Sequence, residues 1–530
     1  MYSRHILPKT GASRVTGTRV FHPLTPPRSI PRSQGRPFSS WQDPPPTSSY
    51  GRTARYIAFG GVPAAALLYY WWRAGPPPRD RVPHLDAPPT ARLAAPLGPS
   101  RAQVTDMLLK DAYSVQVRGV PGVVRYDGAG LATSSPRRGR WTHGSFDSPR
   151  GDGGRWMAWG LFDGARGWQA AELLSRRLVP FVRHALNQVA VAGDDGTAAI
   201  DDGTATFDEA AAFDGTMPDS LDEPMSDGRV QRAVRDAFVG LDDAIMGAGL
   251  GVGLDENTAE EPLQDKLKRL EPCYTGSCAL LSLYDPAARK LHVACAGNSR
   301  AVLAQLGPDH RWHASLLSAD PADADPEEGA RRRAEAHPGE EWLVKNGRVV
   351  TPEPPRAFGD GRWKWPMDAQ LGLMRRFAGP QPAEPRSASA FRTPPYVTAD
   401  PVVTSTEIDP GRPSFLIMAS DGLWRLLTCE RAVELVAAWV EAPPARARAD
   451  RAAPDPEYAP LVDVKGLAQS LRWDPRRRTT VRDDNAAAHL VRNALGGNHH
   501  ESVAALLAFD TPLCQFLRRD MAVQVVFFNS

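Results

Sequence analysis

The sequence predicts an α+β globular region, residues 102–530, behind a basic and proline-rich N-terminal stretch. Three observations predict it. Apolar runs bounded by turn residues follow one another directly at 277–284, 290–295 and 301–304, so strand succeeds strand. Segment 168–189 carries Trp168, Ala171, Leu174, Leu178, Phe181, Val182, Leu186 and Val189 at helical spacing, as an amphipathic helix does. Two more apolar runs, 156–162 and 414–420, read as buried strands that lead into Asp-Gly turns.

Composition agrees. Of 530 residues, 42% are apolar and 23% charged, near the averages of soluble globular proteins, which excludes wholesale disorder. The 45 glycines and 50 prolines make up under a fifth of the chain, below the roughly 25–30% of low-complexity sequences. That excess marks linkers and inserts. A net charge of +2 gives no basis for nucleic-acid binding. Five cysteines without CxxC spacing argue against a disulfide scaffold or zinc site and read as buried free thiols.

Taken in order, residues 1–42 contain no Asp or Glu, while Arg4, Lys9, Arg14, Arg19, Arg28, Arg32 and Arg36 spread positive charge through them. An Arg- and Ser-rich, acid-poor N-terminus has the composition of a mitochondrial presequence. A disordered basic tail would share the charge, but the complete absence of acids favours the presequence. Residues 56–72 are seventeen uncharged positions between Arg55 and Arg73, the short end of a bilayer span. Tyr69, Tyr70, Trp71 and Trp72 would make an interfacial aromatic belt. A single-pass anchor in the inner mitochondrial membrane follows. Residues 73–101 are crowded with proline and read as an extended linker.

In the globular region, 105–124 holds a helix and a first strand, and Pro180 sits inside the helix at 168–189. Segment 194–227 is acidic and poor in bulky apolar residues, a flexible insert rather than a metal-binding loop. Helices are expected at 231–246 and 325–336, and a closing strand at 522–528. The run Gly247-Ala-Gly-Leu-Gly-Val-Gly253 misses the G-x-G-x-x-G spacing and follows no strand, so it reads as a plain loop.

The chemistry sits at the two Asp-Gly turns, Asp163-Gly164 and Asp421-Gly422. A carboxylate at the tip of a buried strand is a rigid way to hold a hard cation, which needs several oxygens in a fixed frame. A lone Asp-Gly is usually only a turn; the surrounding motifs give these two their weight. The chain reads Trp159-Gly-Leu-Phe-Asp-Gly-Ala-Arg-Gly-Trp168, Tyr274-Thr-Gly-Ser-Cys-Ala279, Val293-Ala-Cys-Ala-Gly-Asn-Ser-Arg-Ala301, Pro355-Arg-Ala-Phe-Gly-Asp360 and Met418-Ala-Ser-Asp-Gly-Leu-Trp424. In that order these motifs resemble the metal-dependent protein serine/threonine phosphatases of the protein phosphatase 2C (PP2C) type, in their mitochondrial, pyruvate dehydrogenase phosphatase-like branch. His337-Pro-Gly-Glu-Glu341 and the run from Asp484 to Gly497 fit the same branch.

The resemblance implies a PP2C-like four-layer sandwich of two antiparallel sheets flanked by helices. It also implies two Mg²⁺ or Mn²⁺ ions that activate a water for attack on phosphoserine or phosphothreonine. Asp163, the Gly164 carbonyl and Asp421 match that ligand pattern. Other positions depart from it. The family's acidic pair falls on Arg138 and Gly139, its last metal aspartate on Arg519, and the aspartate of its GDSRA motif on Asn298. Ala165 replaces the family's histidine and Arg425 an acid. Asp520, one place along from Arg519, is expected to point to the opposite strand face. Asp147 and Asp152 are the nearby acids open as substitutes.

The resemblance thus implies a mitochondrial PP2C-type phosphatase-like protein, impaired or inactive, with Arg519 and Arg138 in the place of metal, paired with Asp421 and Asp163. Its partner would be a phosphoprotein. The alternative is an active phosphatase that uses Asp163, Asp421 and one replacement acid on phosphoserine in a mitochondrial protein such as pyruvate dehydrogenase. A structural, membrane-tethered adaptor is the third possibility. The Arg137, Arg138, Arg140 cluster has the forked guanidinium groups that suit phosphate, as would a merely solvated basic loop.

Overall fold

The computed structural model describes residues 99–529 apart from 134–135, 192–224, 255–260, 319–336, 341–343, 346–347, 350–354, 379–391, 442–482 and 509–513. The presequence, the apolar run 56–72, nearly all of the linker, the segment 325–336 and most of the acidic insert lie outside the described residues. Among the described residues, no helix is long and apolar enough to cross a membrane.

The strands are β1 (Tyr113–Gln116), β2 (Val123–Leu131), β3 (Arg140–Asp147), β4 (Arg155–Gly164), β5 (Ser277–Asp285), β6 (Lys290–Ala296), β7 (Arg300–Leu306), β8 (Trp312–Leu316), β9 (Val344–Lys345), β10 (Arg348–Val349), β11 (Val402–Glu407), β12 (Ser414–Ala419) and β13 (Met521–Phe528). The helices are α1 (Arg101–Leu109), α2 (Gln169–Val191), α3 (Asp227–Leu254), α4 (Leu263–Thr275), α5 (Met367–Ala378), the single turn α6 (Asp421–Trp424), α7 (Cys429–Glu441), α8 (Ala486–Leu495), α9 (His500–Ala508) and α10 (Cys514–Leu517). One sheet runs β1-β2-β13-β12-β7-β8 and a second β11-β6-β5-β4-β3, all neighbours antiparallel; β9 and β10 form a separate hairpin.

β4 shows why the central strands are apolar throughout rather than alternating. Met157, Trp159 and Leu161 join the core between the sheets, whereas Trp156, Ala158 and Phe162 face the helices. A strand covered on both faces reads as a continuous apolar run. Helices α1, α7 and α8 pack on the first sheet, with α9 against α1 and α8. Helices α2 and α3 pack on the second, with α4 and α5 packed against those helices. The order is helix, sheet, sheet, helix, as expected. All five cysteines are free thiols, with Cys429 half-buried and the others buried.

Two local expectations change. The acidic insert ends earlier than residue 227, since Met225 is already buried and α3 begins at Asp227. The glycine run 247–253 is no loop but the last two turns of α3. The reason is packing. A Cβ at Gly249 would collide with Cys273 Sγ of α4 and stand 2.9 Å from Trp365 Cζ2, so the bare backbone lets these elements close on the helix. Tertiary contact overrides the low helix propensity of glycine. Gly249→Ala is therefore expected to destabilise the fold by about 1–3 kcal/mol through overpacking. Gly251→Ala, with nothing within 4 Å of the added carbon, is expected to stabilise it by up to about 1 kcal/mol. Urea midpoints moving in the same direction for both would refute this account of the run.

Candidate functional site

Antiparallel pairing gathers the motif residues at one end of the sandwich. In the second sheet, β4 ends at Asp163-Gly164 opposite the start of β5, with Asp163 beside Cys278 and Gly164 beside Ser277. The start of β3 lies across from the same end, Arg140 pairing with Phe162. In the first sheet, Ala419 at the end of β12 pairs with Val523 of β13 and Arg300 of β7. The next turn carries Asp421. Leu131 of β2 pairs with Met521, so the β2–β3 connection, including Arg138 and Gly139, runs past both sheets. Its backbone closes in on the FDG turn: a Cβ at Gly164 would lie 2.8 Å from the Arg138 carbonyl oxygen. Only a glycine admits that approach.

Asp421 is held by two arginines. Arg425 donates from Nε to both carboxylate oxygens, at 3.1 and 2.9 Å, and Arg519 donates from Nη1 at 3.2 Å. Both guanidinium groups are more than half exposed, while the Asp421 side chain is only 15% exposed. Asp520 accepts from the Thr133 backbone N–H at 2.6 Å, from the Thr133 hydroxyl and from the Arg138 backbone N–H at 3.0 Å. Asp163 differs from both. Burial lifts its carboxyl to about 7, and the charges of Asp520 and then Asp421 push the same way; Arg519 and Arg138 oppose them. Among the described residues, no group of three or more His, Cys, Asp or Glu side chains is disposed to hold a metal ion.

The structure places each of the named residues. Arg519 pairs with Asp421. The Arg138 guanidinium does not bond Asp163; its Nη1 donates to the Ala165 carbonyl at 3.3 Å. Asp520 does not turn away. It precedes the first residue of β13, so strand alternation does not govern it, and it is the strongest charged influence on Asp163. Asp147 is remote: it pairs with Arg155 at the far end of β3, seven positions from Arg140, about 24 Å at roughly 3.4 Å per residue. Asp152 lies beyond that end, its carboxylate accepting from the Gly154 N–H at 2.8 Å. Asn298 faces the thiol of Cys278, Sγ to Oδ1 3.6 Å.

The arginine cluster divides. Arg137 is paired with Asp111 and stacks on Trp141; Arg140 is paired with Glu172 and lies over Trp168. Arg138 alone of the three turns toward the FDG loop. A second ion pair, unforeseen in the sequence, braces that loop. Arg166 forks onto Asp360 at 2.7, 2.8 and 2.9 Å, joining the FDG turn to the Arg-Ala-Phe-Gly-Asp segment. Both partners stand in recognised motifs, but nothing in their spacing announces the contact.

Residues 233–455 match the family described as protein phosphatase 2C. A protein phosphatase 2C homolog of Schizosaccharomyces pombe is 34% identical over 411 residues, 77% of this chain and 81% of its own length. The mitochondrial pyruvate dehydrogenase (acetyl-transferring) phosphatase 1 of Saccharomyces cerevisiae is 31% identical over 401 residues, 70% of this chain and 61% of its own. Its human counterpart is 27% identical over 468 residues, 81% and 83% of the two chains. With this likeness spread over most of its length and the motifs collected at one end of two antiparallel sheets, the chain belongs to the protein phosphatase 2C family, beside the mitochondrial pyruvate dehydrogenase phosphatases.

Proposed function

We propose that this chain is a mitochondrial protein phosphatase 2C relative whose metal-dependent hydrolysis is impaired or lost, and that it holds a phosphoprotein partner rather than turning it over. The observation that carries the reading is the pairing of Asp421 with Arg425 and Arg519. Members of the family generally use Mg²⁺ or Mn²⁺. Here a dication at Asp421 would have to displace or face two guanidinium charges, and Asp520 already accepts from three donors. At an effective dielectric near 20, two unit charges about 4 Å apart repel by about 4 kcal/mol. With the Asp421 carboxylate already offset by two guanidinium groups, this donor set does not fit two divalent ions.

The mitochondrial address rests on the acid-free segment 1–42 and on the names of the relatives. The apolar run 56–72 supports an inner-membrane tether on sequence grounds alone. A pyruvate dehydrogenase-like phosphoprotein is the candidate partner, since it is the one named for the relatives. One observation favours the active alternative: after burial, the charge of Asp520 is the foremost cause that raises the Asp163 carboxyl, and Asp520 would be the replacement acid. Calorimetric titration of the full chain with Mn²⁺, with phosphopeptide hydrolysis on the same sample, separates the two. The expected result at millimolar metal is neither saturable binding nor turnover. Turnover abolished by Asp163→Ala would establish an ordinary enzyme with an unusual site.

A further inference from the structure

We infer that Arg138 and Arg519 form a cation-independent seat for a phosphate monoester at the Asp163 end of the sandwich, guanidinium groups standing in for metal. This rests on the preceding reading and gives the site its ligand chemistry. A guanidinium has five N–H donors in a planar fork that matches phosphate oxygens. Most of the arginines nearby are already committed. Arg137 and Arg140 are paired with Asp111 and Glu172, Arg166 is forked onto Asp360, and Arg425 takes both oxygens of Asp421.

Arg138 and Arg519 are different. The main chain of Arg138 is pinned by Asp520, while among the described residues its side chain donates only to the Ala165 carbonyl. Arg519 gives a single N–H to an Asp421 that Arg425 already neutralises, and its side chain is 57% exposed. The two reach the same end of the sandwich from different elements: Arg138 from the β2–β3 connection, its Nη1 on the carbonyl of Ala165 two residues after Asp163, and Arg519 from the residue pair before β13, next to the Asp520 that accepts from the Arg138 backbone N–H. The acids do not compete equally. Asp421 is offset by two arginines, whereas Asp520 is held by neutral donors and keeps its charge, so Asp163 and Asp520 both oppose an incoming anion.

That arrangement predicts a reversal of sign at Asp163. If metal held the phosphate, removing the Asp163 charge would weaken binding; if arginines hold it, removal strengthens binding. The test is fluorescence anisotropy on the full chain in excess EDTA, with a labelled phosphoserine peptide, its serine twin and inorganic phosphate as competitor. The phosphopeptide is expected to bind at least about tenfold tighter than its twin, and Arg138→Ala or Arg519→Ala each to lose about tenfold, the scale of one charge-assisted hydrogen bond. Asp163→Asn is expected to bind a few-fold tighter. Circular dichroism and melting curves confirm that each variant is folded. Equal binding of peptide and twin in EDTA, in a chain that also fails to bind Mn²⁺, would overturn this inference alone. Phosphopeptide binding that requires Mn²⁺ and is lost in Asp163→Asn would overturn both it and the reading beneath it. Displacement of the peptide by inorganic phosphate marks the phosphate group as what is recognised; resistance to it would assign the affinity to the peptide chain and refute the seat.

Discussion

A chain carrying Arg519→Asp together with Gly139→Asp is expected to bind Mn²⁺ at least about 100-fold more tightly than the natural chain. The Arg519 guanidinium stands 3.2 Å from the Asp421 carboxylate, so a dication on that carboxylate would lie within about 5–6 Å of a positive charge. At an effective dielectric near 20 this repulsion is about 6 kcal/mol. Arg519 is 57% exposed, and solvent screening cuts the figure to roughly 3 kcal/mol, about two powers of ten. The substitutions add carboxylate ligands as well as removing the charge. Residue 139 has room: an added Cβ would meet nothing closer than the Phe162 carbonyl oxygen at 3.7 Å. Arg519→Ala, which removes repulsion without supplying a ligand, should give part of the gain. Calorimetry reads the change directly, and a natural chain that already binds Mn²⁺ as tightly as the double variant would show that Arg519 is no obstacle.

The second large effect lies away from the site. Asp483 and Arg492 form a forked pair at 2.8 Å and 2.8 Å, with side chains 1% and 4% exposed. Arg492 also donates to Thr105 of α1 at 3.0 Å, and the Asp483 carbonyl accepts from Trp439 of α7 at 2.8 Å. The pair therefore ties α8 to two neighbouring helices. Asp483→Ala strands a buried guanidinium and is expected to lower stability by about 3–5 kcal/mol. Replacing both partners, as Asp483→Leu with Arg492→Met, should restore most of that loss, because no buried charge is then left alone. Guanidinium chloride midpoints of the single and double variants check the pair. A double variant as unstable as the single would mean that the hydrogen bonds to α1 and α7 matter more than charge pairing.

How legible the molecule was depends on whether a feature is local. The β4, β5, β6, β12 and β13 strands are visible as apolar runs because burial on both faces leaves no polar alternation to confuse them. Helix α2 is visible through its apolar stripe, which continues across Pro180. The end of α3 was not legible. Four glycines in seven residues read as a loop, and only the close approach of Cys273 and Trp365 explains why Gly249 is helical. The setting of Asp520 was not legible either. Its direction depends on where β13 begins, and one residue of difference reverses a side chain's face.

By itself, the sequence determined the family, the most apolar strands and the amphipathic helix that follows β4. Those properties are written in residue identity and periodicity, and they need no knowledge of what lies opposite. Tertiary structure alone decided which arginines matter. Arg137, Arg138 and Arg140 are near neighbours in the chain, yet two are paired outward and one turns to the FDG loop. It also decided that Arg425 and Arg519 share Asp421, and that Arg166 braces Asp360 across 194 residues of sequence. A charge interacts through space rather than along the chain, so its partner is set by the fold that brings distant segments together.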